Sequence, residues 1–364
     1  MSPAGTGAGN PQSLLVVRLG AMGDIIHTLP AVAALRTAFP TAKIGWVVEE
    51  RWAELLGTKT NTKEAMRFGP VSREKPLVDF IHTVDTKSWR KSLLSRNTRR
   101  QISAVRREIR NEHYQMAVDF QGALKSAIVA RTANAGSVFG MANPREAPAR
   151  FFYQHRVATK GFHVIQQYHS LAEAVAGTSL PPGNAEFPHD PQAEAKVDEE
   201  LSRTSNDFVV MNPGAGWGAK QWPAERYGIV AQRLNKYGVK TYINFGPGER
   251  DLASAVETAS GRSARPISCS IGELIALTRR ARLFIGGDTG PLHLAAALQI
   301  PVVAIFGPTD PARNGPHGTK SVVLRNPGSR TSSSHTSAAD PGLLNISTDE
   351  VFSAARNLLE TSNG

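Results

Sequence analysis

The stretch FIGGDTGPLHLAAALQIPVVAIFGPTDP, Phe284 to Pro311, reads as strand, turn, helix and strand in succession. One apolar run ends at Gly286 and Gly287. Asp288 and Thr289 follow where a helix is capped, and Pro291 falls in the first helical turn, where its missing N–H costs nothing. A second apolar run, VVAIF, again ends in glycine. Two apolar strands joined through a helix run parallel, with a right-handed crossover. Backbone N–H groups at such a helix start lack partners and carry partial positive charge, so Thr289, Gly290 and, one turn on, His293 frame a site for phosphate. The same residues also read as a well-made cap with a histidine packed in its helix.

The alternation continues in both directions. LLVVRLG (Leu14 to Gly20) reads as a buried strand, with a helix from about Asp24 to Phe39. IGWVVEE (Ile44 to Glu50) and MAVDFQG (Met116 to Gly122) are further strands, the second leading into the helical ALKSAIVARTA. GTSLPPGNAEFPHDP, Gly177 to Pro191, is rich in proline and breaks the pattern. Beyond it the strands DFVVMNPG, VKTYINFGPGE, RLFIGGDTG and VVAIFGPTD follow. A chain of 364 residues exceeds what one core supports. The expected organisation is a leader over 1–13, an α/β domain over 14–180, a linker over 181–206, a second α/β domain over 207–345 and a C-terminal helix over 346–364. Ligands bind beyond the carboxyl ends of strands in parallel sheets, so two such halves facing each other predict a cleft lined by strand-end loops.

Several function classes are disfavoured. Cys269 is the sole cysteine, so no internal disulfide can form, and a reducing cytoplasm fits. The leader MSPAGTGAGNPQS has neither the basic start nor the apolar core of a signal peptide and reads as disordered. No apolar run is long enough to span a bilayer. After the first strand the chain reads Gly20-Ala-Met-Gly23 without G-x-G-x-x-G, which argues against a dinucleotide cofactor. Metal-ligand spacings and a G-x-S-x-G turn are missing as well.

Three further stretches carry chemistry. In VVMNPGAGWGAKQWP a glycine-rich turn with Gly214 and Ala215 precedes Lys220, a second candidate anion site. It misses the ATPase P-loop, because Ala219 and Gln221 stand where glycine and a hydroxyl are required. In NFGPGERD, Glu249 follows a strand end and suits a pair of ribose hydroxyls, though a glutamate in a first helical turn also simply complements the helix dipole. Between Lys87 and Arg110 nine Lys or Arg face one acid, Glu108, with Trp89, Ile102, Val105 and Ile109 interleaved. That spacing predicts amphipathic helices with a basic face for lipid headgroups or phosphorylated sugars, or else a merely solvated face. The net charge of +11 points the same way, toward an anionic partner.

Together, the Gly-x-x-Gly-Asp turn before the first helix, VDFQGALKSAIVAR, and GGDTGPLHLAAAL followed by VAIFGPTDP resemble the bacterial lipopolysaccharide heptosyltransferases, glycosyltransferase family 9, from Leu14 to about Val323. The resemblance implies the GT-B fold, two facing Rossmann-like domains. Within the family the chain is most similar to heptosyltransferase I, which adds the first heptose from ADP-heptose to the 3-deoxy-manno-octulosonic acid of the lipid A inner core. NPGAGWGAKQWP is more similar to heptosyltransferase II. By this likeness Asp24 is the base that takes the acceptor proton, and Lys220 faces the donor phosphates as a second catalytic group. Thr289, Gly290 and His293 hold the diphosphate, Asp288 belongs to the same motif, Glu249 binds the ribose, and Gly214 and Ala215 line the donor turn. Lys87, Arg90 and Lys91, with Lys125 and Arg131, are the acceptor-side candidates. Here the chain departs from heptosyltransferase I, since Lys87-Ser88 stands where that enzyme has two arginines before the tryptophan.

The expectation is inverting transfer with no metal or cofactor, at the cytoplasmic face of the inner membrane. The implied partners are ADP-heptose, an acidic lipid A-linked glycolipid and the anionic membrane surface, with no specific nucleic acid. The alternatives are heptosyltransferase II or another family 9 enzyme and, more distantly, a noncatalytic nucleic-acid binder using the basic helices.

Overall fold

The computed structural model describes residues 11–58, 71–92, 94–201, 207–332 and 338–361. Most of the expected leader, Leu93, the end of the expected linker and the serine-rich loop at 333–337 lie outside them. The chain divides into two compact units, Met1–His189 and Asp190–Gly364.

The first unit carries strands β1 (Ser13–Val17), β2 (Lys43–Glu49), β3 (Phe80–Val84), β4 (Met116–Asp119), β5 (Ser137–Met141) and β6 (His155–Val157). All pair in parallel, in the order β3-β2-β1-β4-β5-β6. Its helices are α1 (Met22–Ala38), α2 (Thr86–Lys91), α3 (Arg96–Asn111), α4 (Leu124–Thr132) and α5 (Val164–Ala176). Leu14, Leu15, Val16 and Val17 are fully buried because the sheet is covered on both faces. On one face α3, α4 and the 3-10 turn Ala147–Phe152 contribute Ile109, Ala127, Ala130 and Ala149 against Leu15, Val17 and Val138. Elsewhere in this unit α1 packs against α5.

The second unit repeats the plan. Strands β7 (Phe208–Asn212), β8 (Lys240–Phe245), β9 (Ala264–Ser268), β10 (Leu283–Gly287), β11 (Val302–Phe306) and β12 (Ser321–Arg325) pair in parallel as β12-β11-β10-β7-β8-β9. Around them lie α6 (Pro191–Leu201), α7 (Ala224–Lys236), α8 (Arg250–Ala259), α9 (Ile271–Arg280), α10 (Gly290–Ala297), α11 (Pro311–Asn314), α12 (Pro341–Leu344) and α13 (Thr348–Thr361). In each sheet the chain reverses direction of travel beside its first strand, between β1 and β4 and between β7 and β10. Such switch points open a crevice at the carboxyl ends of the strands.

The boundary between the two units falls inside the expected linker, 181–206, and its described residues, 181–201, are packed. Gly183 lies against α1, where a Cβ would meet the Pro30 carbonyl oxygen at 2.2 Å, so only glycine fits. Farther on, α6 packs Val197 and Leu201 against Phe208 and Leu277 of the second unit. Pro191 opens α6, as proline does at a first helical position. Helix α1 starts at Met22, two residues before the expected Asp24, so Asp24 is the third residue of the helix. Among the described residues no helix is long and apolar enough to cross a membrane.

Candidate active site

At the first unit's switch point, β1 runs into Arg18, whose guanidinium is buried. Its Nη1 donates to the Phe120 carbonyl at 2.7 Å, and its Nη2 pairs with Asp24 Oδ2 at 2.7 Å. Asp24 Oδ2 also accepts from the Ala21 N–H at 3.2 Å, which satisfies one of the open donors of the helix start. The two side chains differ sharply in exposure, 5% for Arg18 and 38% for Asp24. The ion pair is thus anchored from inside while the carboxylate reaches solvent. Both contacts go to Oδ2. Among the described residues nothing engages Oδ1.

Behind this pair lies Asp119, fully buried at the end of β4. It accepts from the Gln121 N–H at 2.8 Å, the Gly122 N–H at 3.2 Å, Ser126 Oγ at 2.8 Å and the Tyr153 hydroxyl at 2.7 Å. Burial pushes its carboxyl above the usual range against the pull of these donors. Burial also disfavours the Arg18 charge, but Tyr168, Asp24 and Asp119 outweigh it and leave the guanidinium raised. Neither Arg18 nor Asp119 was singled out by sequence reasoning. The signal available was a charged residue in each of two otherwise apolar strand ends, LLVVRLG and MAVDFQG.

The acceptor-side candidates separate. Lys87, Arg90 and Lys91 lie exposed on α2, which follows β3 and is capped by Asp85 accepting from the Ser88 N–H at 3.0 Å. Lys125 joins them, its Nζ 3.4 Å from Thr86 Oγ1, and that hydroxyl donates in turn to Glu49 at the end of β2. Arg131 does not join. It sits in the last turn of α4, which runs back from the strand ends, and the neighbouring Thr132 carbonyl accepts from Arg110 Nε at 3.1 Å. The expectation that Arg131 shares the strand-end site is therefore corrected: helix direction carries it away.

In the second unit the switch point gathers the donor-side candidates. Asp288, directly after β10, is nearly buried, and its two oxygens take different partners. Lys220 Nζ lies 2.5 Å from Oδ2 and His293 Nε2 lies 3.0 Å from Oδ1. Burial alone would push Asp288 up, but contact with His293 and then Lys220 prevails and holds it well below the usual carboxylate range. The Lys220 ammonium also sits 5.1 Å from the Trp217 ring centre, within cation–π reach. His293 thus faces Asp288 rather than open solvent, as its helix-packed reading had it, while still belonging to this cluster.

Thr289 caps α10 without a side-chain cap bond, its Oγ1 lying 3.3 Å from the Gly287 carbonyl. The Thr289 and Gly290 N–H groups meet no acceptor among the described residues, so the start of α10 presents donors beside the Lys220 ammonium. Glu249 joins from the end of β8. Its Oε2 accepts from the Gly246 N–H at 2.8 Å, and a Cβ on Gly214 would lie 2.3 Å from Oε1. Gly214 is glycine because the carboxylate occupies that space. Gly214 and the half-buried Ala215 are held by Asn212, whose Nδ2 donates to the Gly214 carbonyl at 3.1 Å. Asn244 Nδ2 donates to Asn212 Oδ1 at 2.7 Å and ties this turn to β8. A cation, free helix-start donors and a carboxylate suited to a diol make a chemically coherent receptor for a nucleoside diphosphate. Among the described residues no group of three or more His, Cys, Asp or Glu is arranged to hold a metal ion.

Comparison with known proteins gives a consistent picture. The family described as glycosyltransferase family 9 (heptosyltransferase) matches residues 102–341. Lipopolysaccharide heptosyltransferase 1 of Pseudomonas aeruginosa is 27% identical over 315 residues, covering 85% of this chain and 83% of that protein. The solved structure of E. coli heptosyltransferase WaaC with ADP superposes with a TM-score of 0.75 at 24% identity, over 96% of this chain and 99% of that one. That of E. coli ADP-heptose heptosyltransferase II gives 0.74 at 19% identity, over 97% and 100%.

Proposed function

The chain belongs to glycosyltransferase family 9, the heptosyltransferases, and from that premise we propose that it transfers heptose from ADP-heptose to the 3-deoxy-manno-octulosonic acid of the lipid A inner core, as heptosyltransferase I. The observation that carries the donor assignment is the Lys220–Asp288 pair beside the unpartnered N–H groups that open α10. Asp24 Oδ1 takes the proton of the acceptor hydroxyl as that oxygen bonds to the anomeric carbon from the face opposite the leaving group. The bond from that carbon to the ADP oxygen breaks, its electron pair leaves on the diphosphate, and the configuration inverts. Lys220 and the Thr289 and Gly290 N–H groups offset the charge that develops there, so the step requires no metal. Glu249 Oε1 receives the ribose hydroxyls. Lys87, Arg90, Lys91 and Lys125 bind the acidic groups of the acceptor, and the enzyme works as a peripheral protein at the cytoplasmic face of the inner membrane.

Heptosyltransferase II is the second reading, favoured by NPGAGWGAKQWP. The test is transfer from ADP-heptose, UDP-sugars and GDP-sugars to acceptors with and without a first heptose. Use of ADP-heptose on the heptose-free acceptor alone supports the first reading, and a requirement for a heptose already in place supports the second. Failure with ADP-heptose on both acceptors refutes the donor assignment.

A further inference from the structure

Helices α3 and α4 and the 3-10 turn Ala147–Phe152 pack on one face of the first unit's sheet, so their outer sides look the same way. On α3 only Thr98 and Ile109 are buried. Arg96, Arg99, Arg100, Arg106, Arg107 and Arg110 fall in an arc roughly 120° wide, centred about 130° around the helix from those two, at 3.6 residues per turn. None of the six pairs with a carboxylate among the described residues. Glu108, the acid of this helix, turns aside to His82 Nδ1 at 2.6 Å. Like charges one turn apart destabilise a helix, so this arc is unfavourable in the chain by itself.

Beside the arginines stands exposed apolar surface. Leu124 and Ile128, one turn apart on α4, are 37% and 46% exposed, and Phe151 of the 3-10 turn is 69% exposed with the Arg150 guanidinium 5.1 Å from its ring centre. We propose that this face, the arginine arc of α3 with Leu124, Ile128 and Phe151 beside it, is where the first unit docks on an anionic phospholipid bilayer. Arginines meet lipid phosphates and the aliphatic and aromatic groups enter the headgroup boundary. Nucleic acid would satisfy the cations but leaves Leu124 and Ile128 without a role. The inference deepens the proposed function, an acceptor borne by a lipid, and gives Arg131, which lies at the outer end of α4, a place on the membrane side.

The test is co-sedimentation of the full chain, without donor or acceptor, with vesicles of phosphatidylethanolamine and phosphatidylglycerol against vesicles of phosphatidylcholine. Binding to the anionic vesicles that weakens with added salt is expected. R99A/R106A/R107A lowers it roughly a hundredfold, about fivefold per arginine, whereas R99K/R106K/R107K keeps it and so shows that charge rather than folding is read. Transfer to a deacylated, water-soluble acceptor is unchanged in both variants. Equal binding to neutral vesicles, undiminished binding by the alanine variant, or preference for RNA or DNA over vesicles overturns the proposal. Vesicle binding without any transfer by the wild-type chain supports the surface and counts against the reaction instead.

Discussion

Replacing Asp24 by asparagine separates the two roles its geometry offers. Asparagine keeps an oxygen for the Ala21 N–H but removes the charge facing Arg18, whose side chain is buried. A fully buried pair broken at one partner costs about 3–5 kcal/mol and an exposed pair about 0.2–1. Here one member is buried and the other open to water, and Arg18 retains the Phe120 carbonyl, so we expect a loss of about 1–2 kcal/mol. For a unit of this size that is a fall of roughly 2–8 °C in Tm. Loss of a general base lowers turnover by about 100- to 10,000-fold. The assay pairs kcat for ADP-heptose transfer with thermal unfolding and calorimetric ADP titration. The reasoning predicts turnover down by at least two orders of magnitude, a modest Tm loss and unchanged ADP affinity. A variant that melts early yet turns over within a few-fold of wild type makes Asp24 a structural ion-pair partner only, and the proposed base falls with it.

Gly214→Ala sets a methyl group against the Glu249 carboxylate, so ADP affinity should fall at least tenfold in calorimetry, with an overpacking cost of about 1–3 kcal/mol; unchanged affinity would separate Glu249 from the nucleotide. Lys220→Met should raise the ADP dissociation constant, and an unaltered constant would remove Lys220 from the donor site. Asp288 is held below its ordinary value in the folded state, so the stability it contributes is present above the unfolded value of about 3.9 and is lost as pH falls below it. The gap in urea midpoint between the wild type and Asp288→Asn should therefore be full near pH 7 and begin to narrow below about pH 4, continuing to shrink as pH falls toward the depressed folded value; a gap that does not change between pH 7 and the lowest pH at which the chain stays folded contradicts the linkage. Burial pushes the Cys269 thiol up to about 12, so alkylation by iodoacetamide at pH 8 should be roughly a thousandfold slower in the native protein than in urea. Comparable rates would mean the thiol is not shielded.

The legible parts of the fold are those where burial is complete. VVAIF, LFIGG and LLVV are central parallel strands, apolar on both faces, and announce themselves as continuous runs. Edge strands do not: β9 reads ARPIS, with Arg265 exposed and a proline that only an edge tolerates. Helix α6 was hidden because its opening Pro191 continues a proline-rich stretch. The clustering of Lys220, Asp288 and His293 beside Thr289 was legible because glycine-ended strands place helix starts and loops at one sheet end. What sequence could not convey is pairing. That Asp288 lies between Lys220 and His293, or that Arg18 holds Asp24 from beneath, depends on contacts across strands far apart in the chain. The misplacement of Arg131 has a similar origin, since adjacency to a strand end says nothing of how far along its helix a residue lies.

Both sheets lay out their strands in one shared order, and each carries its own set of functional side chains beside its own reversal. Under the proposed function, substitutions that retune nucleotide preference can accumulate around β7, β8 and β10 without disturbing the hydrogen bonds that set Asp24. On the same reading, changes in acceptor preference can accumulate around β1, β3 and β4 with equal independence. A lineage built this way can exchange the sugar it delivers and the molecule it decorates as separate inheritances.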